Sequence, residues 1–167
     1  YGVVHRLEKD TSGILLIAKK REALIFLQKQ FKSREVEKKY IALATGIIKE
    51  DNGSIETLLG RSPADPRKQK AYLPTEKAPQ SAREGITEYK VLERFSEYTL
   101  LEVKIKTGRK HQIRCHLTYI HHPLAGDKMY GFKDSPTPFG LRRQFLHASY
   151  LKIKLPSGVV KEFNSEL

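Results

Sequence analysis

The stretch Tyr1-Gly2-Val3-Val4-His5-Arg6-Leu7-Glu8-Lys9-Asp10-Thr11-Ser12-Gly13 runs from an apolar segment into a turn crowded with charge. Val3–Leu7 reads as a short strand and Ile14–Ala18 as a second, with the turn formers Glu8–Gly13 between them. A strand-to-turn junction exposes side chains at a sheet edge while the scaffold holds them still. Two readings are open from local chemistry. In one, a carboxylate catalyst stands beside a cationic group. In the other, Asp10, Thr11 and Ser12 merely satisfy backbone amides in a charged turn.

Outward from this junction, Arg21–Lys32 reads as a helix, because Leu24, Leu27 and Phe31 fall on one stripe. Val36–Ala44, containing Tyr40, reads as a strand. Ser62–Gln80 carries Pro63, Pro66, Pro74 and Pro79 and the cations Arg67, Lys68 and Lys70. Proline removes backbone donors, so this segment is expected to be a long surface loop or irregular excursion. Arg83–Glu93 and Thr99–Lys106 read as paired strands around a turn near Ser96-Glu97. In the second, Leu101, Val103 and Ile105 alternate with Glu102, Lys104 and Lys106, the pattern of a half-buried antiparallel strand. His111–His122 reads as a helix stopped by Pro123. Leu146–Leu155 and Val159–Phe163 read as strands joined by a Pro156-Ser157-Gly158 turn. The fold class is α+β: one domain with a mixed, mainly antiparallel sheet and a few flanking helices.

Composition narrows the partner. Among 167 residues, 31 are basic and 19 acidic, for a net charge of +12. That excess favours a polyanion through electrostatic attraction and counterion release. Cys115 is the one cysteine, which excludes an internal disulfide and a cysteine-rich zinc site and fits an intracellular chain. No apolar run approaches the roughly 20 residues that cross a bilayer.

A second motif, Thr107-Gly108-Arg109-Lys110-His111-Gln112-Ile113-Arg114, is a basic loop entering a helix. Free amides at a helix start, with Arg109 and Lys110, could hold phosphate; a solvated positive turn is the plainer alternative. Arg114 falls inside the helix and needs an anionic partner, for which Glu8 and Asp10 are candidates. His111, His116, His121 and His122 do not have metal-ligand spacing, and His147 suits a hydrogen-bonded core position. Phosphate-loop, nucleophile-elbow and zinc-protease patterns do not occur. A glycosidase would need a second carboxyl at a set separation, and the positive charge argues against a neutral glycan.

Tyr1–Gly13 closely resembles the signature of the RluA-type pseudouridine synthases, His-Arg-Leu-Asp-x-x-Thr-Ser-Gly. Lys38–Leu43, Ile86–Tyr89, Thr107–Leu117, His122–Gly131 and Gln144–Ala148 resemble further motifs of that family in the same order. The resemblance implies the pseudouridine synthase catalytic fold, with more strands, and often a small RNA-binding domain, upstream of Tyr1. It implies isomerisation of specific uridines to pseudouridine in ribosomal or transfer RNA, without cofactor or metal, by a cytoplasmic monomer. The target nucleotide has to leave its stack. By that resemblance Glu8, Tyr40 and Arg114 are the catalytic group. Arg6 fills the space the base vacates, and His5, Thr11, Arg109, Lys110 and His111 contact RNA. Tyr40 lies against the uracil, Arg114 pairs with the catalytic carboxylate, and Ile113 and Leu117 support the pocket wall. Asp10 matches the signature's second acidic position, which is expected to bond turn amides.

The departure is at Glu8, where the signature has aspartate. The carboxylate is kept on a stem one methylene longer, and a displacement of about 1 Å can cost roughly 100-fold in rate. Two expectations follow: an active isomerase, or an RNA-binding family member whose catalysis is weakened or lost.

Overall fold

The computed structural model describes residues 1–167. In chain order the elements are β1 (Gly2–Val3), β2 (Ser12–Gly13), β3 (Ile17–Ala18), α1 (Arg21–Lys32), β4 (Glu37–Thr45) and β5 (Asn52–Arg61). There follow β6 (Gln69–Tyr72), β7 (Arg83–Arg94), β8 (Tyr98–Ile105), α2 (Gln112–Tyr119), β9 (Leu146–Lys154) and β10 (Val160–Asn164). The main sheet runs β10-β9-β4-β8-β7-β5-β6, antiparallel throughout, and β2 adds to β9 in parallel. β1 and β3 form a separate antiparallel pair. The mixed, mainly antiparallel α+β expectation holds.

Alternation explains the sheet's central layer. Ala42 and Ala44 of β4, Leu101 and Val103 of β8, Ile55 of β5 and Leu146 of β9 face Ile113 and Leu117 of α2 in one core. On the opposite face of the same strands the partners are charged: Lys39 with Glu102 at 3.2 Å and Lys104 with Glu37 at 2.8 Å. A second core lies under α1, where Leu27, Val4, Ala18, Val36, Leu151 and Ile153 are buried and Leu24 and Phe31 pack against them. Gln30 of α1 is also buried. Its Nε2 donates to the Lys154 carbonyl at 2.8 Å and its Oε1 accepts from the Lys154 amide at 3.1 Å, so one glutamine ties the helix to the end of β9.

Several boundaries differ from the expected ones. The strands expected at Val3–Leu7 and Ile14–Ala18 shrink to two residues each, extended by a bond from the Val4 amide to the Leu16 carbonyl at 3.0 Å. The reason is β2, which is drawn instead against β9 in the register Ser12↔His147 and Gly13↔Ala148. Gly13 sits at φ 117°, where a Cβ would fall on the Ala148 carbonyl oxygen. The proline-rich excursion Ser62–Gln80 is not wholly irregular: β6 lies between Pro66 and Pro74 and pairs with β5 from Leu58↔Tyr72 to Arg61↔Gln69. Its Ala71 and Tyr72 are buried, which supplies the apolar gain that the prolines' missing donors oppose. β5 itself, with Ile55, Thr57 and Leu59 buried in alternation, is absent from the sequence reading. α2 is shorter than His111–His122, because His111 and His121 adopt left-handed φ values of 54° and 65° at its two ends.

Candidate active site

Glu8 stands in a tight turn, closed by the Thr11 amide donating to the Glu8 carbonyl at 3.0 Å. The segment leading into β9 fixes that turn. Gln144 Nε2 donates to the Lys9 carbonyl at 2.8 Å, and Arg143 donates to Ser12 Oγ at 3.0 Å. His147 Nδ1 faces Ser12 Oγ at 2.8 Å and Nε2 faces the Ser165 carbonyl at 3.1 Å. A carbonyl only accepts, so Nε2 carries the proton and Nδ1 accepts from the serine. His147 is thus the hydrogen-bonded core histidine expected.

Across from the turn, Arg114 of α2 is buried, at 6% exposure. Its Nη1 reaches Glu8 Oε2 at 3.3 Å, joining two motifs far apart in the chain. The geometry adds a partner that sequence did not offer. Nε and Nη2 of Arg114 grip Asp127 bidentately, both at 2.7 Å. Asp127 also accepts from the Met129 and Tyr130 amides at 2.9 and 3.0 Å. The guanidinium lies 4.9 Å from the Tyr130 ring centroid. Asp127 therefore takes the strong fork, and Glu8 receives one longer contact. Asp10 takes no part. Its exposed carboxylate accepts no hydrogen bond, and it does not bond turn amides as expected; only its carbonyl is engaged, by Arg143 at 3.3 Å.

The electrostatics follow from this sharing. Burial raises the Glu8 carboxyl above its ordinary range, and Arg114 and the His111 amide only partly pull it back. For Asp127 burial acts the same way, but the Arg114 hydrogen bonds and the Tyr130 amide win and hold it low. Burial, with the negative charge of Glu8, pushes the Tyr40 phenol up to about 12, so it is a neutral donor near pH 7.

The backbone amide and the glutamine at the start of α2 are satisfied inside the protein. The Arg109 amide is taken by Gln112 Oε1 at 3.1 Å. That buried glutamine also accepts from Thr107 Oγ1 at 2.7 Å and donates to the Ile86 carbonyl and Thr87 Oγ1, both at 2.9 Å. His111 is likewise committed. The Gln69 amide donates to Tyr130 Oη at 2.7 Å, which leaves the phenol proton for His111 Nδ1 at 2.8 Å. Burial, with Arg114 and Lys110 nearby, lowers the His111 imidazole to about 4. The ring is therefore uncharged near neutral pH.

These elements border a cleft of about 710 Å³, ample for a nucleoside. His5, Arg6, Glu8, Thr11, Tyr40, Arg109, Lys110 and His111 all line it, and Arg114 lies beneath its floor against Glu8. Ile113 is in the wall as expected, whereas Leu117 is fully buried in the main core and supports the wall from behind. Arg6, Lys9, Lys32, Arg34, Lys38, Lys106, Arg109 and Lys110 bring positive charge to the lining, against the single carboxylate of Glu8. Asp127, Tyr130 and Gln112 were missed as site residues. Asp127 and Tyr130 lie in the His122–Gly131 string that carried the resemblance, but nothing in local spacing aims them at Arg114.

A family model described as RNA pseudouridylate synthase matches residues 1–119. An uncharacterized RNA pseudouridine synthase of Aquifex aeolicus is 45% identical over 139 residues, covering 82% of this chain and 42% of the relative. Ribosomal large subunit pseudouridine synthase D of Nitrosomonas europaea is 42% identical over 173 residues, covering 99% and 48%. The solved structure of human RNA Pseudouridylate Synthase Domain Containing 1 superposes with a TM-score of 0.88 at 29% identity, covering 99% of this chain and 69% of that one. The chain spans about half the length of the curated relatives it matches. With the ordered motifs, the fold and the Glu8–Arg114 contact in agreement, this chain belongs to the RNA pseudouridylate synthase family, in its RluA-type branch.

Proposed function

We propose that this chain isomerises uridine to pseudouridine in a structured RNA, ribosomal or transfer, and that Glu8, Tyr40 and Arg114 are its catalytic group. The observation that carries the reading is the Glu8 carboxylate, 3.3 Å from Arg114, at the floor of a cleft whose other charged residues are all basic. RNA is the polyanion such a lining suits, and a uridine turned out of its stack meets the carboxylate first. In the reaction the N1–C1′ bond breaks, the uracil turns and C5 bonds to C1′. The C5 proton leaves and N1 gains one, so no atom is added or lost overall. Glu8 acts on the sugar, at C1′ as nucleophile or at C2′ as base. Arg114, anchored by Asp127, holds the carboxylate in place. Tyr40 stacks on the uracil beside Glu8 and is the candidate for the proton transfer at C5. Arg6, exposed at the cleft mouth, occupies the space left in the RNA.

The test is tritium release from RNA labelled at uridine C5. Release that is lost in Glu8→Gln and kept in Asp10→Asn supports the assignment. Silence from both the parent chain and Glu8→Asp, with RNA still bound, would instead make this an RNA-binding member of the family. Strong gain in Glu8→Asp would trace weak turnover to the added methylene.

A further inference from the structure

On the cleft wall facing Phe31, three cations stand without anions. Lys38 of β4 lies 5.6 Å from the Phe31 ring centroid, and a Cβ added at Gly108 would come within 3.6 Å of its Nζ. Arg109 follows Gly108 and spends its Nε on the Glu84 carbonyl, at 2.9 Å. Arg34, just past α1, is near enough to Arg109 to oppose its charge. None of the three belongs to any of the protein's ion pairs. Arg34 holds a left-handed φ of 62° as the residue that closes α1, where the Glu35 amide donates to the Gln30 carbonyl at 3.0 Å, and this helix end fixes where its side chain starts.

Burial costs Lys38 hydration, and Arg34 and Arg83 repel Arg109 with Glu84 only partly offsetting them, so the folded protein is less stable for holding these cations. Their neighbour His5, stacked on Phe31 at 4.6 Å, gives no relief, because an imidazole supplies no negative charge; burial and Lys38 lower its own pKa. The wall offers a fork, a second guanidinium and a point charge around an open space, the donor set that suits a phosphate's oxygens.

Resting on the RNA reading above, we infer that Lys38, with Arg34 and Arg109, forms a subsite for a backbone phosphate of the RNA strand that carries the target uridine. The phosphate supplies the missing counter-charge and fixes the strand as its base enters the cleft. It carries no sequence information, so the subsite sets position and affinity for all substrates alike.

The test compares Lys38→Met with Lys39→Met, neighbours on opposite faces of β4. Affinity for a hairpin RNA with an all-uridine loop is measured across a salt series, and melting temperature is measured without RNA. Lys38→Met should bind roughly tenfold more weakly at low salt. Its log K against log salt slope should be shallower by about 0.7 to 0.9, the share of one phosphate contact. It should also melt at a higher temperature than the parent, since an unpaired cation is gone. Lys39→Met should keep the parent's slope. An unchanged slope in Lys38→Met, with the parent binding the hairpin, overturns the subsite and leaves the RNA reading intact. A lowered melting temperature in Lys38→Met makes that lysine structural and also overturns it. A parent chain that binds the hairpin at no salt concentration overturns the RNA reading and the subsite together.

Discussion

Lys38 and Lys39 are adjacent on β4 and meet opposite worlds. Lys39 points to the open face of the sheet, bonds Glu102 at 3.2 Å and lies over the Tyr150 ring. Two neighbours there are matched as well: Lys104 with Glu37 and Lys152 with Glu162. Lys38 points to the cleft, where its ammonium has a ring beneath it and no carboxylate beside it. One face has settled its charges internally and asks nothing of a partner. The other keeps cations in excess around one carboxylate, Glu8, whose own counter-ion is shared with Asp127. Such an imbalance concentrates positive potential on the cleft side of the strand.

The largest effect should come from the buried cation beneath the cleft floor, which two carboxylates hold. Arg114→Ala strands Asp127 in the interior and should cost about 3–5 kcal/mol in denaturant unfolding. Adding Asp127→Asn should restore a large part of it. A loss below about 1 kcal/mol would show that the buried pair does not hold the site together. Next, Tyr130→Phe removes the hydroxyl between the Gln69 amide and His111 Nδ1, and should destabilise by about 1–3 kcal/mol. Retention of full stability would detach the proline-rich segment from the catalytic centre.

The pH dependence separates Glu8 from the paired acids. Burial raises its carboxyl above 4.5, so the folded chain holds that proton more tightly than the unfolded one. Below 4.5 the group is protonated in both states. As pH rises through its folded pKa, the stability due to the bound proton is lost. The stability of Glu8→Gln relative to the parent should therefore improve with increasing pH above 4.5. Curves that stay parallel would mean that Arg114 neutralises Glu8 fully. The smallest effect belongs to the open face. Lys104→Met should change stability by about 0–1 kcal/mol, and less at high salt, because its pair with Glu37 is partly solvated.

Much of this was legible in the chain. The acid after Leu7, the tyrosine of β4 and the arginine of α2 stand out by resemblance; Glu8 and Tyr40 line one cleft, and Arg114 meets Glu8 from beneath it. α1 has the bounds that its apolar stripe indicates. β8 alternates as its sequence does, because each side chain there meets either core or solvent. Legibility failed where a residue's role depends on a distant backbone. β6 lies among prolines, and only β5 gives it a ladder. The strands around Glu8 are cut short because Gly13 leaves them for β9. Gln30 and Gln112 look like surface residues, yet each saturates buried backbone groups on another element.

The amino-acid sequence by itself determined the chemical inventory: a net charge of +12, a carboxylate among cations, and strands whose period-two pattern puts Lys38 and Lys39 on opposite sides. Only the tertiary structure decided how charge is apportioned. Asp127 takes the guanidinium fork that spacing would have given to Glu8, and Arg34 and Arg109 join Lys38 in the lining of one cleft from two other parts of the chain. The physical reason is that periodicity is a local property, whereas electrostatic energy depends on which groups the folded chain brings within a few ångströms, and how much water it leaves between them.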